Sequence, residues 1–374
     1  MENQFYVSAS PHITAKDSVP KIMFDVVLAL VPATIAGIYF FGIRAGWIIL
    51  ITVLACVVTE AVIQMLLKKS ITVADGSAIV TGILLAFNLP PEIPWWLPIV
   101  GSVFAIAIGK HCFGGLGYNP MNPALLGRAF LLASWPTHMT IFSTQPLGNQ
   151  SLSGISVITG ATPLNVMKQA QAILKNQGLR ESYENIIQTA ADSNAISQAQ
   201  MALSKLTAYP IEQVNQAREA IQQLSDNYTH FFMGNIGGCI GETSVLALII
   251  GAVYLLYKKH IGWKIPFTYL GSVALLTWIF GGIDGLFTGD WLFHLLTGGL
   301  MLGAFYMATD MVTSPITSRG QIIFGLGCGV ITVIIRLIGG YPEGVSYSIL
   351  LMNLTVPLLN RYTRPRIFGE VKRT

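Results

Sequence analysis

The stretch GWIILITVLACVVTEAVIQMLL, residues Gly46–Leu67, carries one charged side chain, Glu60, in 22 positions. An α-helix of about 20 apolar residues is long enough to cross the hydrocarbon core of a bilayer. The same character extends over the whole chain of 374 residues, of which 52% are hydrophobic and 11% charged, against roughly 25% charged in soluble domains. These features exclude a soluble globule and predict an all-α polytopic membrane protein.

Ten apolar runs are bounded by turn residues or charges, five on each side of a polar middle section. They lie at Lys21–Phe41, Gly46–Leu67, Asp75–Leu89, Leu97–Gly109, Asn122–Ser134, Ser244–Tyr257, Pro266–Ile283, Trp291–Thr309, Gln321–Ile338 and Val345–Leu359. Several are short or interrupted, notably at Asn88–Trp96, and broken helices are tolerated at membrane depth where protein or a cavity covers the backbone. Because Thr81–Phe87 is similar to Thr297–Phe305, we predict about ten transmembrane helices in two inverted five-helix repeats.

The chain divides into five predicted sections. They are a cytoplasmic N-terminal segment (1–20), a first membrane repeat (21–135), an extracytoplasmic helical insertion (136–231), a second membrane repeat (232–360) and a basic cytoplasmic tail (361–374). Lys and Arg near the helix ends gather on one side if ten segments cross, and the positive-inside rule makes that side cytoplasmic. Residues 1–20 lack the pattern of a removable signal peptide, so the first membrane helix is expected to start insertion.

Several functions have no recognisable motif in the chain. The four cysteines stand far apart without a C-x-x-C spacing, so any iron–sulfur cluster is expected on partner chains. Gly325–Gly329 superficially resembles a dinucleotide loop, but it lies inside an apolar run and indicates close helix packing. No site for NAD⁺ and no nucleic-acid patch is visible, since the basic stretch Arg361–Arg373 is expected to set topology and face lipid.

The sharpest local motif is Thr159-Gly160-Ala161-Thr162, followed by Pro163. Pro163 suits the first position of a helix and Thr162 its N-cap. An ordinary capped helix is one interpretation. The other is an anion site, because free N–H groups and the positive end of the helix dipole would stabilise a phosphate at Thr162.

Seven motifs together resemble one membrane-protein family. They are Thr159–Thr162, Asp75–Gly82, Leu89–Pro91, Phe113–Gly117, Asn122–Phe130, Asp310–Pro315 and Gly339–Gly344. They are similar to the family shared by the D component of the Rnf ion-translocating electron-transport complex and the B component of the Na⁺-translocating NADH:quinone reductase, over about residues 18–361. The quinone-reductase branch has a longer N-terminal extension, so the short segment before the first helix favours the Rnf branch.

The resemblance implies a urea-channel-like fold and a subunit of a ferredoxin:NAD⁺ oxidoreductase that couples electron flow to Na⁺ or H⁺ transport and is not active alone. It implies FMN on Thr162 through a phosphoester made by a flavin transferase, and a second, non-covalent flavin, riboflavin. Related attachment sites often have an acidic residue six positions earlier, where this chain has Ser156. The implied partners are other Rnf subunits, including iron–sulfur and flavin-carrying chains, in the inner membrane of a bacterium or archaeon.

Ionisable groups inside apolar runs are expensive to bury and are functional candidates. They are Glu60, Asp75, Lys110, Arg128, His294, Asp310 and Arg336. Lys110 and Arg336 occupy matching places in the two repeats; each snorkels or pairs with a carboxylate, or stabilises a reduced flavin anion. Glu60 or Asp310 is an alternative ligand for the transported ion.

Asn119 and Asn122 have two interpretations: hydrogen bonds to an isoalloxazine edge, or a cap on the helix that begins near Pro123. A channel or carrier for a small solute is the alternative function, because broken helices in paired repeats also describe transporters. A channel has no use for Thr159–Pro163 on a polar insertion, which favours the electron-carrying subunit.

The topology is open to a direct test. Reporter fusions after Lys69, Gln177 and Lys372 should report cytoplasmic, external and cytoplasmic locations, because the basic residues gather on one side. A cytoplasmic signal at Gln177 would contradict the arrangement with ten crossings.

Overall fold

The computed structural model describes residues 18–142, 162–189, 193–234, 236–242, 244–283, 285–339 and 343–364. Every regular element in these ranges is a helix. Four helices are long and apolar enough to cross a membrane: Val19–Phe41, Ile43–Leu66, Trp96–Phe113 and Ser318–Leu337. Shorter apolar helices accompany them, and together they confirm a polytopic, all-helical membrane protein.

The helices coincide with the apolar runs of the sequence to within a few residues. The first half holds α1 (Val19–Phe41), α2 (Ile43–Leu66), α3 (Ser77–Phe87), α4 (Trp96–Ala107), α5 (Pro123–Ser134) and α6 (Pro136–Thr140). The insertion contributes α7 (Pro163–Thr189), α8 (Ser193–Lys205), α9 (Ile211–Asp226) and α10 (Tyr228–Met233). The second half holds α11 (Val245–Tyr257), α12 (Lys264–Phe280), α13 (Trp291–Leu296), α14 (Leu300–Leu302), α15 (Ser318–Leu337) and α16 (Val345–Tyr362).

Hydrogen bonds between helix termini mark one end of the bundle. Asp25 in the second turn of α1 contacts His260, in the turn between α11 and α12. The Thr317 hydroxyl, which caps α15, contacts that of Thr363 just after α16. We call this the tail end, because the first described helix begins there and the last one finishes there. The insertion end is the opposite one, where α5 and α6 lead toward α7.

The apolar run Trp291–Thr309 is broken rather than continuous. It forms α13, α14 and a π-helical turn at Gly303–Met307. Between α13 and α14 the backbone of Gly298 has φ of 70°, a left-handed conformation that glycine adopts without steric cost. This break leaves carbonyl groups inside an apolar bundle, where they need partners.

Glycines allow helices to approach closely. At Gly251 in α11, a Cβ atom would lie 1.9 Å from the carbonyl oxygen of Ala29 in α1 and 2.3 Å from Tyr306 Oη. In the Gly325–Gly329 run, a Cβ on the first glycine would lie 2.0 Å from Thr268 Oγ1. Small residues therefore let backbones touch between α1 and α11 and between α12 and α15. The glycine run of α15 is a helix-packing surface, as the sequence indicated.

The insertion is held to the second half by the first turns of α7. Leu164 joins a buried apolar cluster with Phe231 and Phe293. Two turns further, Gln171 Nε2 donates to the carbonyl oxygen of Gly281 at 3.2 Å. Helices α8 and α9 pack on α7, while α10 packs on α11 and α13, so the start of α7 and α10 fix the insertion against the bundle.

Gly251→Ala should lower the free energy of unfolding by about 1–3 kcal/mol, the usual cost of forcing an extra methyl into a packed contact. Gly271→Ala in α12 is the matched control, because a Cβ there meets nothing within 4 Å. Thermal unfolding of the purified chain in detergent should show a lower midpoint for the first variant only. Equal midpoints would contradict the close approach of α1 and α11.

Candidate functional site

Thr162 is the N-cap residue of α7. Its carbonyl oxygen accepts the first helical hydrogen bond from Val166 N at 3.0 Å, and its Oγ1 accepts from Asn165 N at 3.3 Å. Pro163 stands at the first helical position, where its missing N–H leaves no bond unmade. The side chain of Thr162 is 4% exposed. The rest of the motif, residues 159–161, lies outside the described part of the chain.

A groove at the insertion end begins one turn from Thr162, and we call it the insertion-end groove. Its walls come from α5, α6, the first turn of α7 and the region around the start of α16. They include Arg128, Leu132, Met139, Phe142, Asn165, Glu343 and Tyr347. Apolar walls with a few polar side chains are typical of a site for a flat, largely apolar ligand.

Arg128 joins the two halves beneath this groove. Its Nη1 donates to Asn88 Oδ1 at 2.7 Å and to Ser346 Oγ at 2.9 Å, and its Nη2 forms an ion pair with Glu343. A second carboxylate, that of Glu242, lies 3.8 Å from Nη1. The buried guanidinium is therefore bound by groups from both halves of the chain.

Glu242 is the least satisfied member of this cluster. Its Oε1 has no hydrogen-bond partner among the described residues, and its side chain is buried. Cys239 Sγ and the carboxylates of Glu242 and Glu343 lie within 4.8 Å of one another. The Arg128 guanidinium stands beside all three and supplies the positive charge that buried carboxylates need.

Arg336 binds the backbone at the break between α13 and α14. It donates to the carbonyl oxygens of His294 at 2.6 Å and Thr297 at 3.1 Å. At the adjoining insertion, Lys168 Nζ donates to the Gly339 carbonyl oxygen, and burial lowers the pKa of this ammonium. These two cations satisfy carbonyl groups that the helix ends leave free.

Lys110, the counterpart of Arg336 in the first half, has different partners. Its Nζ lies 2.6 Å from Glu60 Oε1 and 2.6 Å from Ser77 Oγ. Asp75 accepts from both the N–H and the hydroxyl of Ser77, while His111 Nε2 is 3.6 Å from Glu60 Oε1. Lys110 is thus paired with a carboxylate, whereas Arg336 binds carbonyl oxygens.

A second cavity, the tail-end pocket, lies between the first and second halves. Its lining includes Val80, Lys110, Asn119, Asn122, His260, Phe305 and Asp310. It brings together three residues that the sequence proposed for a cofactor, Lys110, Asn119 and Asn122, whereas Arg128 lines the other cavity.

The two asparagines of the tail-end pocket differ in their bonding. Asn122 Oδ1 accepts from Ala124 N at 3.0 Å and Leu125 N at 3.3 Å, so it caps α5. Asn119 Nδ2 donates to the Met121 carbonyl oxygen, but its buried Oδ1 has no partner among the described residues. Asn119 therefore offers a free acceptor in a pocket wall, which is where a ligand with an N–H group would pair.

Asp310 adds a carboxylate to the same pocket. It accepts from Thr313 Oγ1 at 3.0 Å and lies 3.5 Å from Val312 N. Within the described ranges, no cationic side chain pairs with Asp310 at ion-pair distance. The geometry fits Asp310 as a ligand for the transported ion, and it also fits Asp310 as a residue that holds its own loop.

Four residues in contact with one another connect the two cavities. Asn88, bound to Arg128, donates through Nδ2 to the carbonyl oxygen of Leu84 and lies 3.7 Å from Met307 Sδ. Met307 in turn accepts through its carbonyl oxygen from Asn122 Nδ2 at 3.4 Å. Arg128, Asn88, Met307 and Asn122 thus form an unbroken series of contacts from the groove to the pocket.

Residues 6–369 match the model of the NQR2, RnfD, RnfE family. The chain belongs to this family. It is 46% identical over 368 residues to the D component of the proton-translocating ferredoxin:NAD⁺ oxidoreductase complex of Clostridium ljungdahlii, covering 98% of this chain and 97% of the relative. It is also 46% identical over 366 residues to the D component of the Na⁺-translocating complex of Acetobacterium woodii, covering 98% and 96%. The D component of the ion-translocating oxidoreductase complex of Stutzerimonas stutzeri is 38% identical, covering 95% and 93%.

In this family member, the sequence pointed to fewer residues than the site contains. Three partners of Arg128 were not singled out: Glu242 and Glu343 lie in turns outside the apolar runs, and Asn88 lies at the end of the third run. Asp25 carried a usable signal, a single acidic residue within the first apolar run. Its partner His260 lies in a short turn, where no sequence pattern marked it.

Arg128→Leu should lower the free energy of unfolding by about 3–5 kcal/mol, because it leaves the buried Glu242 and the partly buried Glu343 without their cation. The double variant Arg128→Leu, Glu343→Gln should recover part of that loss, since one of the two charges is removed. Thermal unfolding of the purified chain in detergent measures both. A double variant no more stable than the single one would contradict the direct coupling of Arg128 and Glu343.

Proposed function

We propose that the chain is the membrane flavoprotein subunit of an Rnf-type complex, which passes electrons between ferredoxin and NAD⁺ and couples this to Na⁺ or H⁺ translocation. The observation that carries the proposal is 46% identity, over nearly the whole of both chains, to the D components of two such complexes. One of these relatives is named for protons and the other for Na⁺, so the coupling ion is left as either. Partner subunits supply the nicotinamide site and the iron–sulfur clusters.

The covalent flavin belongs at Thr162. The free N–H groups and dipole at the start of α7, a helix of 27 residues, favour a phosphate on the Thr162 hydroxyl. Asn165, one turn along, lines the insertion-end groove, whose apolar walls suit an isoalloxazine. Because Thr162 is buried in the docked insertion, attachment by the flavin transferase is expected to precede docking of α7.

The non-covalent flavin belongs in the tail-end pocket. The unpaired Oδ1 of Asn119 fits an imide N–H, the Lys110 ammonium lines the same pocket, and Val80 and Phe305 provide apolar surface. Asn122 holds the start of α5 beside it. A bound flavin would supply electron transfer in steps of one or two electrons, while the residues of this chain bind, orient and shield it.

The orientation follows the same proposal. Ten crossings in two inverted repeats would place the tail end at the cytoplasm and the insertion outside, in the inner membrane. The separation of the two cavities toward opposite ends of the bundle supports this arrangement. It gives one flavin to each side, joined through Arg128, Asn88, Met307 and Asn122.

Thr162→Ala should remove the flavin that stays on the chain in denaturing conditions, because the acceptor oxygen is lost. The lost cap should cost only about 1 kcal/mol, so the complex should still assemble and be inactive. Thr162→Ser is the matched control, since it keeps an acceptor hydroxyl. Mass spectrometry of the peptide spanning residues 157–168, from protein produced with the transferase, reads the modification. An unmodified Thr162 in an active complex would overturn the assignment.

Asn119→Ala provides the reciprocal control in the same preparations. It should lower the acid-extractable riboflavin and leave the FMN on Thr162 in place. Loss of covalent FMN instead would show that the two cavities had been assigned to the wrong flavins.

A further inference from the structure

A hydrogen-bonded group of three side chains lies beside the tail-end pocket. It consists of Asp25, Tyr254 and His260. Tyr254 Oη donates to Asp25 Oδ1 at 2.7 Å, and His260 Nε2 lies 2.7 Å from Asp25 Oδ2. The carboxylate of α1 therefore holds a phenol from α11 and an imidazole from the turn that follows. The side chains of His260 and Asp25 are 7% and 14% exposed, so the group reaches the surface of the bundle.

The turn before His260 is built to aim this side chain. Lys259 adopts φ of 60°, a conformation rare for a residue with a side chain, and His260 N donates to the carbonyl oxygen of Leu255. The chain folds back there over the end of α11, which places the imidazole against Asp25 of α1. His260 is also part of the lining of the tail-end pocket. One side chain thus links the surface of the bundle with the pocket interior.

The other ionisable groups around the pocket are engaged elsewhere. Lys110 is 2% exposed and bound by Glu60 and Ser77. Asp310 accepts hydrogen bonds within its own loop. Lys258 of α11 stands 5.7 Å over the ring of Tyr254, on the outer side of the group. Among the described groups lining the pocket, His260 is the one whose residue type exchanges protons most readily near neutral pH.

We propose that His260, oriented by Asp25, is the group that passes a proton from the aqueous tail end to the flavin held in the tail-end pocket. The proposal rests on the proposed function, which places that flavin there and FMN on Thr162. Two-electron reduction of an isoalloxazine takes up a proton at N5. With that flavin bound, a His260 imidazolium would give the proton on Nδ1, the ring nitrogen that Asp25 does not bind, to N5 and become a neutral imidazole.

The electrons and the proton come from different directions. The two electrons would be supplied by reduced FMN on Thr162, which would be oxidised and release its own N5 proton. The neutral imidazole regains its proton from water at the tail end, and Asp25 stabilises the imidazolium that results. Asp25 and Tyr254 act as positioning residues, because Asp25 contacts His260, Tyr254 contacts Asp25, and neither side chain lines the tail-end pocket.

The test uses the assembled complex with His260→Gln, which keeps a hydrogen-bonding side chain near Asp25 but exchanges no proton. Acid-extracted riboflavin is measured first and should match wild type. Rapid mixing with reduced ferredoxin should then show slower bleaching of the non-covalent flavin, by about 10²-fold. His230→Gln, at an exposed position on α10, is the matched control and should bleach at the wild-type rate.

His260→Ala adds a rescue experiment. Free imidazole should restore much of the rate in this variant and leave His260→Gln and wild type unchanged, because a small proton donor can enter the space of the missing ring. A merely structural role for His260 would not respond to imidazole. Normal riboflavin content with an unchanged rate, or a slow rate that imidazole does not restore, overturns the proposal.

A readout without turnover completes the test. In wild-type complex depleted of non-covalent flavin, diethyl pyrocarbonate should modify His260, and added riboflavin should protect it while His230 stays reactive. Protection keeps the proposal testable even where a His260 variant fails to assemble, and absence of protection overturns it. Wild-type complex that contains no non-covalent flavin would overturn the proposed function of the pocket as well, so the two failures are distinguishable.

Discussion

Backbone groups freed at helix breaks must find partners inside an apolar bundle, and several buried polar contacts in the described part of the chain answer that constraint. Arg336 donates to the carbonyl oxygens that the break after α13 exposes. Asn122 accepts from the first amides of α5. Because such side chains have to stand beside the breaks, polar groups gather where the helices are interrupted. The cavities form at those same places.

The Arg128 cluster shows how one buried charge organises two halves of a chain. A guanidinium in an apolar interior requires carboxylates, and Glu343 and Glu242 come from the second half, while Asn88 comes from the turn after α3. The same side chain forms part of the insertion-end groove. A contact that holds the halves together is therefore also a wall of the site proposed for the covalent flavin. Arg128 thus contributes both to the stability of the bundle and to the proposed site.

The sequence predicted some parts of the site well. A threonine followed by proline specifies a helix N-terminus locally, so the cap at Thr162 could be read from neighbouring residues alone. The expectation that Lys110 and Arg336 occupy equivalent positions in the two repeats was less informative. Similar positions in two repeats predict similar backbone, but the partners of a long side chain depend on which helices pack against it. Lys110 meets the carboxylate of Glu60, and Arg336 meets carbonyl oxygens.

Composition and the length of the apolar runs by themselves determined that this is a helical membrane protein with interrupted helices, because the cost of placing charge and free backbone groups in lipid acts on every segment separately. Motifs in the sequence identified the family. Tertiary structure alone decided which ionisable groups meet: Asp25 with His260, 235 positions apart, and Arg128 with Glu343, 215 apart. Contacts of that range depend on close helix packing through glycines such as Gly251, and no local pattern encodes which helices will touch.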